Sequence, residues 1–118
     1  MRAPSLYLQG ILSAAASIES FIGDMAEDDF RADDKTVSAV IRKLEVIGEA
    51  AKGVPPEWTS NCPQVPWRDM AAMRDRLIHA YFGVDHRLVW RTIKERLPQI
   101  LPHVAELLGR NHPAPPAP

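Results

Sequence analysis

Apolar residues recur every three or four positions between residues 37 and 51, and this spacing constrains the fold more than any other feature of the chain. An amphipathic α-helix places such residues on one face, whereas a half-buried strand alternates with a period of two. The stripe consists of Val37, Val40, Ile41, Leu44, Ile47, Gly48 and Ala51. Gly48 costs about 1 kcal/mol relative to alanine inside a helix, so we expect another helix to pack closely against it. Gly53, followed by two prolines, ends this helix.

An earlier segment, residues 6–21, has the same helical periodicity, and Gly23 follows it as a stop. The acidic stretch 24–34 predicts a loop that contains one helical turn. Either Asp33 or Asp34 is expected to cap the helix that follows, because aspartate accepts hydrogen bonds from the free N–H groups at a helix start.

The stretch 54–66 contains four prolines and is predicted to be an ordered loop rather than a helix or strand. Pro66 suits the first position of a third helix, which we expect to run to about Tyr81 or Phe82. Gly83 then breaks this helix.

A fourth helix is predicted after Asp85, which can cap it, and continues to Leu97. Beyond it, Pro98 and Pro102 predict either a short final helix or a kinked continuation. No segment shows the period of a strand. The sequence therefore predicts an all-α, up-and-down bundle of four to five helices over residues 1–110, with residues 111–118 as a disordered tail or cloning remnant.

Composition narrows the class of protein. The 118 residues suffice for one domain, and a formal net charge of −1 means that any RNA binding must come from a local basic patch. Cys62 is the only cysteine, which excludes an internal disulfide and a cysteine-based zinc site. No apolar run approaches the ~20 residues that span a bilayer, and the N-terminus lacks the apolar core of a signal peptide. We expect a cytoplasmic protein that does not bind a membrane.

Chemistry-bearing residues concentrate in the stretch WRDMAAMRDRLIHAYFGVD, where Arg74, His79 and Tyr81 lie within eight residues. At roughly 100° per residue, the core side of this helix consists of Met70, Met73, Leu77, Ala80 and Tyr81. Arg74 then lies on the flank of that stripe, and His79 lies almost opposite it. Asp75 is four residues before His79, so its carboxylate can accept a hydrogen bond from the imidazole and orient it.

This motif, Arg74-Asp75-x-x-x-His79-x-Tyr81, resembles the R-x4-H-x-Y signature of the HepT-like toxins, which have a HEPN domain. The resemblance extends over most of the chain. It is carried by AVIRKLEVIGEAAK, VPWRDMAAMRDRLIHAYFGVD and VWRTIKERLPQI, which resemble the second helix, the signature helix and the helix that follows.

The resemblance implies a HEPN fold and a homodimer whose two signature helices face each other across a cleft. It also implies metal-independent endoribonuclease activity in a type VII-like toxin–antitoxin pair, with Arg74 and His79 as catalytic residues. The antitoxin of such toxins is a minimal nucleotidyltransferase that can attach AMP to the motif tyrosine, here Tyr81. We accordingly expect RNA as the substrate, with neither a cofactor nor a metal ion.

The chemistry suits these residue types. RNA is cut without a metal when its own 2′-hydroxyl attacks the adjacent phosphate, which requires a proton acceptor, a proton donor and a cation on the oxyanion. A histidine, whose unperturbed pKa is about 6.5, can serve as acid or base. An arginine can hold the phosphate through two hydrogen bonds.

Other interpretations of the same residues remain open. Arg74 could be a surface arginine paired with an acidic neighbour, His79 an exposed or interface histidine, and Asp75 a solvated charge. A metal site built from His79 and His86 would need the Gly83 break to bring the two together.

The alternative function is a non-catalytic helical dimer that binds nucleotide or a nucleotidyltransferase partner, as an interaction module or an inactive subunit. Glu49, beside the Gly48 packing point, is expected to pair with an arginine of the third helix.

Overall fold

The chain folds into α-helices, as predicted, and no β-strand occurs in the part that the computed structural model describes, residues 3–80 and 83–111. No helix in that part is both long and apolar enough to cross a membrane. In chain order the helices are α1 (Pro4–Ile22), α2 (Glu27–Ala32), α3 (Asp34–Gly53), α4 (Pro56–Thr59), α5 (Trp67–Ile78), α6 (His86–Arg91) and α7 (Leu97–Asn111), and a π-helical segment (Thr92–Arg96) joins the last two.

Helix α3 lies at the centre of the bundle because it is buried along the stripe that the sequence predicts. It packs against α1 on one side and α5 on the other, and α7 packs on α1. The short α2 contacts both α3 and α6, and its fully buried Phe30 packs against Trp90 with the two rings tilted by 39° and their centroids 5.2 Å apart. The core formed by these contacts includes Leu8, Ile11, Ile18, Val37, Val40, Val104 and Leu107, each with at most 2% of its surface exposed.

Gly48 marks the closest approach of α3 and α5, which confirms the packing reason expected for a glycine inside a helix. A Cβ atom at this position would overlap the Cβ of Arg74 and would lie 2.7 Å from the backbone carbonyl oxygen of Met70. Only the absence of a side chain allows the two backbones to meet here. The contact positions Arg74 directly beside α3.

Asp33 is the N-cap of α3, one of the two aspartates predicted for this role. Its carboxylate accepts hydrogen bonds from the backbone N–H of Thr36 at 3.2 Å and from the Thr36 hydroxyl at 2.9 Å. These two bonds hold the pKa of Asp33 below its ordinary value. The cap is therefore most stabilising when the carboxylate is ionised.

Replacing Asp33 with alanine is expected to lower the thermal unfolding midpoint by roughly 5 °C at neutral pH, because the first turn of the central helix loses its cap. Since the folded-state pKa lies below the unfolded one, this contribution is present above the unfolded pKa and is lost as the pH falls through the folded one. The difference from wild type should therefore shrink below about pH 4. Asp24→Ala, which removes an exposed aspartate without a cap bond, is the control. Equal midpoints for the two variants would contradict the assignment.

Helix α5 begins and ends differently from the prediction. Pro66 is its N-cap rather than its first residue, and the helix ends at Ile78, before the predicted end at residue 81 or 82. Ile78 is 44% exposed and Ala80 is also exposed, so Ala80 does not belong to the core stripe as predicted. A helix end that buries so little apolar surface gains little tertiary stabilisation by continuing.

The first of two proline-rich regions also differs from the prediction. The stretch 54–66, predicted to lack helix, contains the single turn α4, because Pro56 suits the first position of a helix. In the second region, residues 92–111 continue α6 without a break, which is the continuation that the sequence left open beside a separate short helix. In a regular α-helix the ring of Pro98 would clash with the carbonyl group of Lys94. Residues 92–96, which include Lys94, form a wider π-helical turn, and this turn avoids the clash.

The predicted tail and the predicted modification site lie almost entirely outside the described residues. Apart from Asn111, where α7 ends, the tail lies outside the described residues, and so does Tyr81.

Candidate functional site

Arg74 is the best-anchored charged residue of the predicted motif. Its side chain is 27% exposed, and two carboxylates hold its guanidinium: Glu49 Oε2 lies 3.0 Å from Nε, and Asp75 Oδ1 lies 2.9 Å from Nη1. The ion pair with Glu49 confirms the expected pairing of this glutamate with an arginine of the third helix. Nη2 donates no hydrogen bond to another of the described residues. Arg74 therefore keeps a donor for an external ligand.

The bond between Arg74 and Asp75 changes the pKa of both groups. It raises the pKa of the Arg74 guanidinium and is the main reason that the pKa of the Asp75 carboxyl lies below its ordinary value. Both groups are consequently charged throughout the neutral range. A change of activity with pH near neutrality would have to come from another group.

His79 lies at the end of α5, where it is the C-cap residue, and its side chain is exposed as the helical wheel predicts. Its backbone N–H donates to the carbonyl oxygen of Asp75 at 3.1 Å. The Asp75 carboxylate, however, bonds to Arg74 and not to the His79 imidazole. The permanent charge of the guanidinium makes it the stronger partner, so the orientation of His79 by Asp75 stays a prediction.

A cleft of about 430 Å³ opens between α1, α3 and α5, and Arg74 and Ile78 form part of its wall. His79 is the next residue along the chain. Charged side chains of α3 line the cleft together with Arg74, namely Arg42, Glu45, Glu49 and Lys52. Leu6, which is 50% exposed, and Ile78 place apolar surface at the same cleft. The predicted arginine thus lies on a concave, mixed-charge surface, whereas His79 is not among the residues that line it.

Sequence reasoning did not identify several residues of this cleft, among them Tyr7 and Lys52. Lys52 follows Glu49 by three positions on the same helix, a spacing that places both on one face and could have indicated it. Tyr7 comes from α1 and packs against the end of α3, where a Cβ atom on Gly53 would lie 2.5 Å from the tyrosine ring. No pattern in the sequence indicates this contact, because it depends on how α1 and α3 pack.

No group of three or more histidine, cysteine, aspartate or glutamate side chains could hold a metal ion within residues 3–80 and 83–111. Cys62 is buried, and its thiol lies 3.7 Å from the carbonyl oxygen of His103. Burial raises the pKa of this thiol. Such a cysteine has a packing role rather than the thiolate character of a reactive one.

An all-α bundle with an arginine, an aspartate and a histidine at the end of one helix is the arrangement expected for a HEPN domain. The family model described as HepT-like ribonuclease matches residues 11–107 of this chain. The chain belongs to the HepT-like ribonuclease family.

The names of curated relatives agree with membership of this family. A protein of Thermococcus cleftensis named "Probable ribonuclease HepT" is 51% identical over 94 residues, which are 80% of this chain and 86% of the relative. A "Putative RNase" of Methanocaldococcus jannaschii is 42% identical over 102 residues, 86% of this chain and 84% of the relative. Another "Putative RNase", from Caldanaerobacter subterraneus, is 39% identical over 110 residues, which are 93% of this chain and 98% of the relative. No solved structure matches the chain at a significant level.

Proposed function

We propose that the protein is a metal-independent endoribonuclease that uses Arg74 and His79 in a cleft at a homodimer interface. The observation that carries this function is the state of Arg74 on the wall of the cleft. It is charged and held on two sides, and it keeps Nη2 for a ligand. Membership of a ribonuclease family and the exposed His79 nearby make an RNA phosphate the ligand that fits best.

The proposed reaction is a transesterification within the RNA. The 2′-oxygen forms a bond to phosphorus and gives its proton to a base, while the bond from phosphorus to the 5′-oxygen breaks and the leaving oxygen takes a proton from an acid. Arg74 stabilises the charge that develops on the non-bridging oxygens. His79 serves in the proton transfers, and a dimer supplies one histidine from each subunit.

The exposed apolar side chains near the cleft support a dimer at this surface. Leu6 and Ile78 are among the large apolar residues with the greatest exposure in the described part of the chain, and both line the cleft. A second subunit that covered them would remove this apolar surface from water. It would also bring the two copies of α5 towards each other, as the proposed shared site requires.

The proposed setting is a type VII-like toxin–antitoxin pair in the cytoplasm. The partner would be a minimal nucleotidyltransferase that transfers AMP to Tyr81, two residues beyond His79. An adenylate on this tyrosine would add bulk and negative charge to the segment that carries the R-x4-H-x-Y motif. Such a modification would oppose RNA binding by repulsion between like charges.

RNA cleavage by the purified protein in EDTA tests the proposed function. We expect wild-type protein to cut RNA equally well with and without the chelator and to leave 2′,3′-cyclic phosphate and 5′-hydroxyl ends. Activity that EDTA abolishes would contradict the metal-independent reaction. A folded dimer that binds RNA or a nucleotidyltransferase without cutting would favour the non-catalytic module. An intact mass should be recorded first, since an adenylate on Tyr81 that is absent from Tyr81→Phe would identify silenced enzyme.

A further inference from the structure

We propose that Glu49 is a positioning residue for cleavage: its carboxylate holds the guanidinium of Arg74 by Nε, so that the Nη2 end is presented to the RNA phosphate. This inference rests on the proposed function and adds a residue to it from outside the signature helix. It follows from the way α3 and α5 meet at Gly48.

The three nitrogens of Arg74 have different surroundings. Nε lies 3.0 Å from Glu49 Oε2 and Nη1 lies 2.9 Å from Asp75 Oδ1, whereas Nη2 has no hydrogen-bond partner within residues 3–80 and 83–111. A guanidinium is planar, so a carboxylate at Nε restricts the rotation of the whole group. The end that remains free is therefore held in one direction rather than sampling several.

Glu49 can fix Arg74 relative to the fold, whereas Asp75 cannot. Asp75 is the next residue on the same helix and moves with Arg74. Glu49 belongs to the central helix α3, one residue after Gly48, where a Cβ atom would overlap that of Arg74. The backbone contact sets the distance between the helices, and the carboxylate of Glu49 then sets the direction of the side chain. The other glutamate near the cleft on α3, Glu45, pairs with Arg42 at 3.4 Å.

The exposure of this ion pair separates a positioning role from a structural one. The Glu49 side chain is 63% exposed, and ion pairs at exposed sites contribute little to the free energy of unfolding. Removing the carboxylate should therefore leave the fold almost unchanged. Catalysis is more sensitive, since a misplacement of about 1 Å in a catalytic group can cost 10²-fold in rate.

The test compares full-length Glu49→Ala and Glu49→Gln with wild type in steady-state RNA cleavage in EDTA, with thermal unfolding measured in parallel. We expect Glu49→Ala to lower kcat by roughly 10–100-fold with an unfolding midpoint close to that of wild type. Glu49→Gln keeps an acceptor oxygen for Nε and should lose less. Glu27→Ala is the matched control, because it removes the carboxylate of another exposed ion pair, with Arg31 at 3.9 Å, outside the cleft.

A double substitution checks that Glu49 acts through Arg74. In an Arg74→Ala background, Glu49→Ala should cause no further loss of kcat, because the group that it positions is gone. Independent, multiplicative losses would overturn the inference, and so would a Glu49→Ala variant that cleaves at the wild-type rate or faster. Those results leave the proposed function intact. A wild-type protein that does not cut RNA would instead remove the proposed function itself.

Discussion

Replacing His79 with alanine is expected to lower kcat for RNA cleavage about 10²–10⁴-fold, the usual contribution of a positioned acid or base. The imidazole is exposed and has no hydrogen-bond or ion-pair partner in the described part of the chain, so the unfolding midpoint should not change. The measurement is single-turnover cleavage of a labelled RNA in EDTA, with circular dichroism to verify the fold. His103→Ala, on α7 and away from the cleft, is the control and should cleave like wild type.

Arg74→Ala belongs to the same experiment and should lose activity to a similar extent, because the phosphate would lose its cationic partner. Arg74→Lys restores the charge but not the planar fork of donors, and it should recover only part of the rate. Cleavage that survives both His79→Ala and Arg74→Ala would indicate a contaminating nuclease or another active site. It would then remove the assignment of these residues to catalysis.

Gly48→Ala is expected to have the largest effect on stability among single-methyl changes in the helices. Alanine gains about 1 kcal/mol in helix propensity, but inserting a methyl group into a closely packed contact typically costs about 1–3 kcal/mol. Here the added atom meets the backbone carbonyl of Met70 as well as Arg74, and a backbone atom cannot move aside as a side chain does. We expect a net loss of stability in urea unfolding, together with reduced RNA cleavage because Arg74 is displaced.

The matched control for this change is Gly10→Ala in α1. A Cβ atom there has no heavy atom within 4 Å, so only the gain in helix propensity of up to about 1 kcal/mol should appear. Opposite signs for the two glycine variants would demonstrate the close contact of α3 and α5. A Gly48→Ala protein as stable as Gly10→Ala would contradict it.

Much of the fold could be predicted from the sequence, because periodicity records which face of a helix is buried. The stripe that begins at Val37 became the buried face of α3, Asp33 became its cap, and Gly48 became a packing contact. The errors occurred at the ends of α5 and in the stretch 54–66, which contains the single turn α4. The early end of α5 at Ile78 and the π-helical turn before Pro98 depend on how much surface is buried and on backbone clashes, which periodicity does not record.

The candidate site, like the fold, could be predicted only in part from the sequence. The sequence by itself determined the all-α class, the buried stripe of α3 and the exposure of His79, because these follow from spacing along a chain of known geometry. Only the tertiary structure decided that Asp75 bonds to Arg74 rather than to His79, and that α1 contributes Tyr7 to the cleft. Partners that lie on different helices, or that compete for one carboxylate, are selected by distances in space, and those distances are set by the packing of the helices.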